Sequence, residues 1–275
     1  MIDFNVHGKT CIITGGTRGL GYACAEVLLT NGAKKIFITS RNEQAVRAAV
    51  HELEKLGDVY NKDCEIIGIP SDLSKLQSID ELYNVITDTF KETQVDVLIA
   101  NAGATWGAPL GEHPSEAIEK VLNLNLKGVF LTIQKFLPLL KKKPEDDPSR
   151  ILIMGSIAGI AVNQFANTYG YLASKAGVIH LGKNLAIELA PKYNINVNML
   201  APGFFPSRMA NGLLEEIGDT YVQQNPRKRL GKKEDLESVV LFLCSKQSNY
   251  INGAVIPIDG GHHLLGPAAS YPSKL

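Results

Sequence analysis

The chain has 275 residues, and its 45% hydrophobic content can bury the core of one large α/β domain or of two small ones. Its 28 lysine and arginine residues balance its 28 aspartate and glutamate residues, so the net charge of +0 creates no overall field that would attract nucleic acid or an anionic membrane. We therefore expect no nucleic-acid or membrane partner, and we expect any anionic ligand to be held by a local group of residues.

The ends of the chain bear on its location. No apolar run approaches the length of a bilayer span, and the N-terminus lacks the pattern of a secretion signal, so we expect an intracellular protein. Ser273-Lys274-Leu275 spells a peroxisomal import address at the end of a small, polar tail over 266–275. The alternative is a cytoplasmic protein whose frayed tail ends in these residues by chance.

The four cysteines have no metal-ligand or CxxC spacing and are expected to be reduced core residues: Cys11, Cys24, Cys64 and Cys244.

Short apolar runs rich in β-branched residues alternate with longer helical stretches along the whole chain. Near-continuous apolar strands separated by crossover helices predict a parallel sheet covered on both faces, the doubly wound arrangement. We expect a single domain over residues 1–265, without a linker. The strands are predicted, in chain order, at Thr10–Thr14, Lys35–Thr39, Cys64–Ile69, Val95–Ala100, Arg150–Met154, Asn194–Leu200 and Ala254–Ile258.

The first predicted strand runs into a glycine-rich turn, Thr14–Gly21, which is followed by a helical stretch. Glycines between a strand and a helix N-terminus allow phosphate to approach the backbone closely, so the turn predicts a dinucleotide site, although tight turns also use glycine for other reasons. The residues predicted to bind the cofactor here are Gly15, Thr17, Arg18, Gly19, Leu20 and Gly21.

The second predicted strand is followed by Ser40 and Arg41, where an NAD enzyme usually carries an acid for the ribose hydroxyls. The planar guanidinium of Arg41 suits a 2′-phosphate, and Arg18 could supply a second cation, so we predict NADP(H) as the cofactor. In the alternative, Glu43 reaches back to the ribose and Arg41 points to solvent.

Two further strands end in polar residues that face the same crevice. Asp72 and Leu73 follow the third strand, and Asn101, Ala102 and Gly103 follow the fourth. Asp72 could accept a hydrogen bond from the adenine amino group. Both groups could equally serve helix capping or turn formation.

Tyr171 and Lys175 are four residues apart, which places a phenol and an ammonium on one face of a helix. Lowering the pKa of a tyrosine from near 10 to roughly 7 needs about 4 kcal/mol, which a close cation in a dry pocket could largely supply. The pair is therefore a candidate for proton transfer, but the same spacing also occurs on ordinary helices.

The segment Pro202–Asn225 follows the sixth strand and is too long for an ordinary connection, so we predict a lid over the substrate. The alternative is a structural loop held by its two prolines. The apolar residues of this segment predict a hydrophobic pocket: Phe204, Phe205, Met209, Leu213 and Leu214.

From about Gly8 to Gly261 the chain resembles the short-chain dehydrogenase/reductase family. The resemblance rests on the turn Thr14–Gly21, the Asn-Ala-Gly motif from Asn101 to Gly103, and the pair Tyr171 and Lys175. It implies a Rossmann fold with seven parallel strands in the order 3-2-1-4-5-6-7. It also assigns catalytic roles to Asn125, Ser156, Tyr171 and Lys175, and contacts with the cofactor to Tyr171, Lys175, Pro202, Gly203, Phe205 and Ser207.

The segments 104–110, 205–209 and 255–261 look like NADPH-dependent ketoacyl reductases of the rhamnolipid type and related fungal ketoreductases. The resemblance implies that Tyr171 protonates the ketone oxygen, that Ser156 holds the carbonyl, and that Lys175 binds the nicotinamide ribose and lowers the tyrosine pKa. Asn125 would anchor a water that resupplies the proton, or would simply satisfy helix backbone.

The chain departs from the family pattern in three ways. The interval from Ser156 to Tyr171 is two residues longer than usual, so that Tyr169 has the usual spacing; we choose Tyr171 because only it lies four residues before a lysine. Ala100 replaces a common asparagine, and Ser207 replaces a threonine but keeps its hydroxyl. Asn123 is a second asparagine close to Asn125, and we assign the catalytic role to Asn125 and not to Asn123.

We therefore expect an NADPH-dependent carbonyl reductase that acts on an apolar ketone, a diketone or a 3-ketoacyl substrate. The alternatives are alcohol oxidation in the reverse direction and a non-catalytic NADP-sensing protein.

The resemblance suggests a homotetramer, or a dimer, formed through paired long helices. We expect no metal, because the adjacent His262 and His263 cannot share a helix or strand face. Trp106 either lines the substrate pocket or packs structurally.

Overall fold

Seven parallel strands form one sheet, and their order across the sheet, numbered along the chain, is 3-2-1-4-5-6-7. The computed structural model describes residues 3–162, 167–207 and 211–265, apart from the side chains of residues 211–214, 216 and 217. All seven strands start and end within two residues of the predicted positions, and the predicted order is confirmed. The strands are β1 Thr10–Thr14, β2 Lys35–Ser40, β3 Glu65–Pro70, β4 Val97–Ala100, β5 Ser149–Met154, β6 Ile195–Pro202 and β7 Val255–Ile258.

Helices connect the strands and cover both faces of the sheet. The α-helices are α1 Gly19–Thr30, α2 Glu43–Tyr60, α3 Leu76–Asn84, α4 Ser115–Leu122, α5 Val129–Leu140, α6 Tyr169–Tyr193, α7 Asn211–Gln224 and α8 Lys233–Cys244. Two π-helical segments interrupt this pattern: Val85–Thr89 continues α3, and Asn123–Gly128 joins α4 to α5 without a break.

The core has two layers because successive side chains of a strand point to opposite faces of the sheet. On one face Ile12 of β1 belongs to a buried cluster with residues of α3, α5 and α6. On the other face Cys11 and Ile13 belong to a cluster with residues of α1, α2 and α8. Both faces of the central strands β1, β4, β5 and β6 are therefore buried, which explains their near-continuous apolar sequences.

The strand order reverses between β1 and β4, which pair directly through Cys11 with Val97 and Ile13 with Ile99. In doubly wound sheets a crevice opens at such a point, outside the carboxyl ends of the strands. The glycine-rich turn after β1 and the Asn-Ala-Gly motif after β4 are therefore brought side by side.

Some predictions concern other parts of the chain. Residues 266–275, which hold the predicted import address, lie outside the described residues, as does Met209. The segment predicted as a lid contains helix α7, so it is not a continuous loop. The described cysteines are free; Cys11, Cys24 and Cys244 are buried, whereas Cys64 is half-buried. In the described parts of the chain, no helix combines the length and the apolarity that a membrane crossing needs.

Candidate active site

A cavity of about 790 Å³ lies at the carboxyl ends of β1 to β6. It contains the end of the glycine-rich turn, the tyrosine and lysine of α6, and the residues that follow β6. The predicted site residues that line it are Gly15, Thr17, Arg18, Gly19, Leu20, Gly21, Ser40, Arg41, Leu73, Asn101, Ala102, Gly103, Ser156, Tyr171, Lys175, Pro202, Gly203 and Ser207. Three predicted residues are not among the lining residues: Asp72, Asn125 and Phe205.

Asn101 holds the glycine-rich turn in place. Its backbone N–H donates to Thr14 Oγ1 at 2.9 Å, and its side-chain amide donates to the carbonyls of Thr14 at 2.9 Å and Gly15 at 3.1 Å. A Cβ on Gly21 would lie 2.3 Å from Asn101 Nδ2 and 2.3 Å from Gly15 O, so only glycine fits there. The turn therefore presents bare backbone to the cavity, as close approach of a phosphate requires.

The cavity is suited to a polyanion. Helix α1 begins at Gly19 without a side-chain cap, which leaves its first N–H groups available to a ligand. The charged residues that line the described cavity are Arg18, Arg41 and Lys175, and no aspartate or glutamate is among them. The residues present thus fit a phosphorylated dinucleotide.

The structure does not support the alternative in which Glu43 reaches the ribose. Glu43 lies in the first turn of α2 and forms an ion pair with Arg47 one turn further along. The side chain of Asn42 accepts a hydrogen bond from Ala45 N and caps the same helix. Arg41 is thus the charged side chain that the end of β2 presents to the cavity.

Asp72, which was predicted to face the adenine, forms hydrogen bonds within the turn that follows β3. Its carboxylate accepts hydrogen bonds from the backbone N–H and the hydroxyl of Ser74, at 3.2 Å and 2.7 Å. Partial burial raises its pKa, but these hydrogen bonds and the charges of Arg41 and Lys75 outweigh burial and leave the pKa below its ordinary value. Asp72 therefore shapes the turn after β3, and its contact with the adenine stays a prediction.

Ser156, Tyr171 and Lys175 meet at one wall of the cavity. Ser156 Oγ accepts a hydrogen bond from Ala158 N at 3.1 Å, which holds the hydroxyl at the end of β5. Lys175 Nζ donates to Met154 O at 2.7 Å and lies 5.6 Å from the centroid of the Tyr171 ring. A hydroxyl, a phenol and an amine are thus within reach of one small substrate group.

The pKa of Tyr171 does not move in the predicted direction. Burial raises it above its ordinary value of 10.0, and a hydrogen bond with Ser156 only partly opposes that shift. The amine of Lys175 donates to a backbone carbonyl instead of to the phenol, and burial lowers its own pKa to about 8. Tyr171 is accordingly protonated at neutral pH, the form that an acid needs.

Asn125 lies in the π-helical segment Asn123–Gly128 and is 1% exposed. Its Oδ1 accepts from Ala104 N at 2.8 Å, and its Nδ2 donates to Ala104 O at 2.8 Å and to Ser174 Oγ at 3.0 Å. The side chain therefore pins the loop after β4 to α6. Since both amide hydrogens are used by protein atoms, the side chain does not donate to a water as well.

The expectation that Phe204 and Phe205 line the pocket is wrong. Phe205 is 5% exposed and packs against Gly231, and Phe204 is 8% exposed with its ring 4.6 Å from that of Tyr221. Both rings are buried beneath the cavity wall, because apolar side chains beside a strand end can pack into the core as readily as into a pocket.

Comparison with known proteins assigns the family. A family model described as Enoyl-(Acyl carrier protein) reductase matches residues 15–263. The rhamnolipids biosynthesis 3-oxoacyl-[acyl-carrier-protein] reductase of Pseudomonas aeruginosa is 36% identical over 264 residues, which cover 95% of this chain and 98% of that protein. FabG of Aquifex aeolicus, a 3-oxoacyl-[acyl-carrier-protein] reductase, is 35% identical and covers 94% of this chain and 99% of its own. The chain belongs to the short-chain dehydrogenase/reductase family.

Solved structures of relatives have the same fold. The Pseudomonas aeruginosa RhlG/NADP active-site complex superposes with a TM-score of 0.86 at 35% identity, covering 94% of this chain and 98% of its own. Levodione reductase superposes with a TM-score of 0.85 at 28% identity, covering 95% of this chain and 100% of its own. The chain is thus an oxidoreductase of the short-chain dehydrogenase/reductase family with that family's single-domain Rossmann fold.

The longer interval after Ser156 is absorbed before helix α6 begins at Tyr169. Tyr169 is 39% exposed, its ring lies 6.1 Å from that of His113, and it is not among the cavity residues. Tyr171 is among them. The choice of Tyr171 over Tyr169 from the lysine spacing therefore agrees with the placement of the two rings.

Several cavity residues were missed by reasoning from the sequence. Most of them follow directly on a strand or neighbour a predicted residue, so the rule that ligands bind at the carboxyl ends of parallel strands could have found them. They are Thr39, Asn42, Ala45, Ser71, Leu124, Met154, Gly155 and Pro206.

Proposed function

We propose that this protein is an NADPH-dependent ketoreductase that reduces an apolar ketone, diketone or 3-ketoacyl substrate to a secondary alcohol. One observation carries the proposal: Ser156, Tyr171 and Lys175 line the same cavity as the glycine-rich turn and Arg41. A proton donor and a dinucleotide cradle in one cavity are the two requirements of carbonyl reduction by a nicotinamide.

The cofactor is NADP(H). The bare backbone from Gly15 to Gly21, together with Arg18 and Arg41, offers N–H donors and two guanidinium groups to its phosphates. The similar chain of the Pseudomonas aeruginosa complex holds NADP. When bound, this cofactor supplies the hydride.

The protein's own residues orient the substrate and supply the proton. The hydroxyl of Ser156 donates to the carbonyl oxygen and fixes its position, and the phenol of Tyr171 gives its proton to the same oxygen as negative charge develops there. Burial keeps that proton on Tyr171 until the reaction requires it. The charge of Lys175, beside the phenol, then favours the phenolate that remains.

An apolar substrate is supported by the loops that continue from Gly103 and Ser156, two residues of the cavity wall. Large apolar side chains are exposed on the loops that follow β4 and Ser156: Trp106 is 51% exposed, Leu110 73% and Val162 81%. The loop after β4 reaches the start of α6, since Ala108 N donates to Asn167 O at 2.9 Å. These side chains would cover the apolar body of a substrate whose carbonyl lies at Tyr171.

The decisive experiment follows the absorbance of NADPH during incubation with a panel of ketones, diketones and 3-ketoacyl thioesters. Tyr171→Phe should lower kcat at least 10²-fold, because the proton donor is lost while the ring remains. Tyr169→Phe is the matched control and should leave kcat within about twofold of the wild-type value. Turnover that survives Tyr171→Phe, or that is lost in Tyr169→Phe, would contradict the assignment.

Three further expectations stay predictions. The segment after β6, including α7, acts as a lid over the substrate. The protein assembles as a homotetramer or a dimer through its long helices, which is supported by an apolar groove of about 380 Å³ between α4, α5 and α6.

Ser273-Lys274-Leu275 directs peroxisomal import. A fluorescent fusion lacking Leu275 is the test, and unchanged peroxisomal targeting of that fusion would rule out this role for the three residues.

A further inference from the structure

Tyr221 of α7 is a buried tyrosine that the chemistry above does not use. It is 4% exposed, and its ring lies between two other rings, with centroids 4.6 Å from Phe204 and 4.1 Å from His262. It belongs to a small buried cluster with Ile157 and Ala158, which directly follow Ser156. The side chain of Tyr171 packs against the same cluster.

The hydroxyl of Tyr221 is also engaged. It accepts a hydrogen bond from the backbone N–H of Phe204 at 3.4 Å and is hydrogen-bonded to the side chain of Asn225. Asn225 Nδ2 in turn donates to Asp259 O at 2.9 Å, beyond the end of β7. One tyrosine thus ties together α7, the end of β6 and the end of β7.

The backbone next to Tyr221 forms part of the cavity wall. Pro202, Gly203 and Ser207 line the cavity, and Gly203 N donates to Ile258 O at 3.0 Å. A Cβ on Gly203 would lie 2.8 Å from the Tyr221 hydroxyl oxygen and 2.8 Å from Asp259 Cβ. The absence of a side chain at Gly203 therefore lets the hydroxyl of Tyr221 pack closely against this part of the cavity wall.

We propose that Tyr221 is a positioning residue for carbonyl reduction. It fixes the Gly203–Phe204 backbone in the position that aligns the cofactor with Tyr171. The inference rests on the proposed function. Its physical basis is that the buried N–H of Phe204 donates to the Tyr221 hydroxyl, and that the cluster which Tyr221 completes contacts Tyr171 and contains the two residues that follow Ser156. A small shift of this wall would misalign the reacting groups, and misalignment of about 1 Å can cost up to 10²-fold in rate.

The test compares Tyr221→Phe with Ser248→Ala. Tyr221→Phe keeps the ring and removes only the hydroxyl. Ser248 is 1% exposed and donates to Leu243 O at 2.8 Å beyond the end of α8, so Ser248→Ala also removes a buried hydroxyl, but outside the cavity. Both variants should lose similar thermal stability, and kinetics are measured well below both melting temperatures.

Tyr221→Phe should lower kcat about tenfold at saturating NADPH and raise the Kd of NADPH about threefold, whereas Ser248→Ala should leave both within twofold of the wild type. Tyr221→Leu, which also removes the ring, should have a larger effect on both. Constants within twofold of wild type for Tyr221→Phe, or equal losses in Ser248→Ala, would overturn the proposal. If the wild type reduces no ketone, the proposed function fails, but fluorescence titration with NADPH still decides the role of Tyr221.

Discussion

At the scale of single residues, we expect Arg41 to determine the choice between the two nicotinamide cofactors. It lies at the end of β2 in a cavity whose described lining contains no carboxylate. Arg41→Asp should raise the Kd of NADPH on the order of tenfold to a hundredfold, because a charge-assisted hydrogen bond is replaced by repulsion. The Kd of NADH should change little.

The matched control for this prediction is Lys55→Asp, on the exposed part of α2 outside the cavity. Isothermal titration with both cofactors measures the four constants. Equal affinities of the wild type for NADPH and NADH, unaffected by Arg41→Asp, would show that another group recognises the 2′-phosphate.

Lys175 makes stability depend on pH. Burial lowers its pKa from 10.5 to about 8, so between these pH values the unfolded chain binds a proton that the folded protein lacks. The free energy of unfolding therefore rises with pH through this window, and the cost of burying the charge is fully present below about pH 8.

Lys175→Met removes this titration. The stability of the wild type relative to the variant should increase by about 3 kcal/mol between pH 8 and pH 10.5, and should be constant below pH 7, where the lysine is charged in both states. Urea unfolding across this range measures the difference. A difference that does not vary with pH would mean that Lys175 keeps an ordinary pKa in its buried site.

At the scale of secondary-structure elements, a buried ion cluster joins β1, β5 and the end of α8. Arg150 is fully buried at the start of β5 and donates to Asp147 Oδ1 at 2.8 Å and to Ser245 O at 2.9 Å. Asp147 also pairs with Lys9, which is only 7% exposed. Burial raises the pKa of Asp147, but its hydrogen bonds with Arg150 and Lys9 outweigh burial and hold the pKa well below its ordinary range.

Asp147→Asn should lower the free energy of unfolding at pH 7 by about 3 kcal/mol, since it leaves two buried cations without their anion. The loss should shrink as pH falls below about 4. A carboxylate whose pKa is depressed in the folded protein contributes its full stabilisation only above its unfolded-state pKa, and this contribution disappears as the carboxylate is protonated in acid. Asp146→Asn changes an exposed neighbour and should cost less than about 0.5 kcal/mol in the same urea unfolding experiment. Equal effects of the two substitutions would contradict the role assigned to the cluster.

At the scale of the whole molecule, the apolar groove between α4, α5 and α6 has a predictable consequence for assembly. Leu122, Leu126, Phe130 and Leu181 line it, and Phe130 is 38% exposed. Phe130→Asp should reduce the molar mass measured by light scattering, because a charge in an apolar interface is not compensated.

Val59→Asp provides the control, because Val59 is 72% exposed on α2, outside this groove. It should leave the molar mass unchanged. A wild type that is monomeric at micromolar concentration would show that the protein has no such interface. A Phe130→Asp variant of unchanged mass would show that the interface lies elsewhere.

Much of the fold could be predicted from the sequence, because apolar strand runs and helical stretches alternate with little ambiguity. The glycine turn, Arg41 and Tyr171 could also be placed, since each stands at a fixed offset from a strand end or a lysine. The direction in which Phe204 and Phe205 point could not be predicted, since it depends on Tyr221 and Gly231 far along the chain. The partner of Asp72 was equally ambiguous, because a carboxylate after a strand can serve a ligand or a neighbouring Ser74.

The π-helical segment Asn123–Gly128 makes local chain length part of the active site. A π turn holds about one residue more than an α turn, so deleting one residue from the segment would restore regular α-helical winding with little change in the rotation of α4 relative to α5. Asn125 lies inside the segment, so the change in winding would alter the direction of its amide and weaken its hydrogen bonds with Ala104. The number of residues in this segment, and not only their identity, therefore determines where Asn125 places its amide.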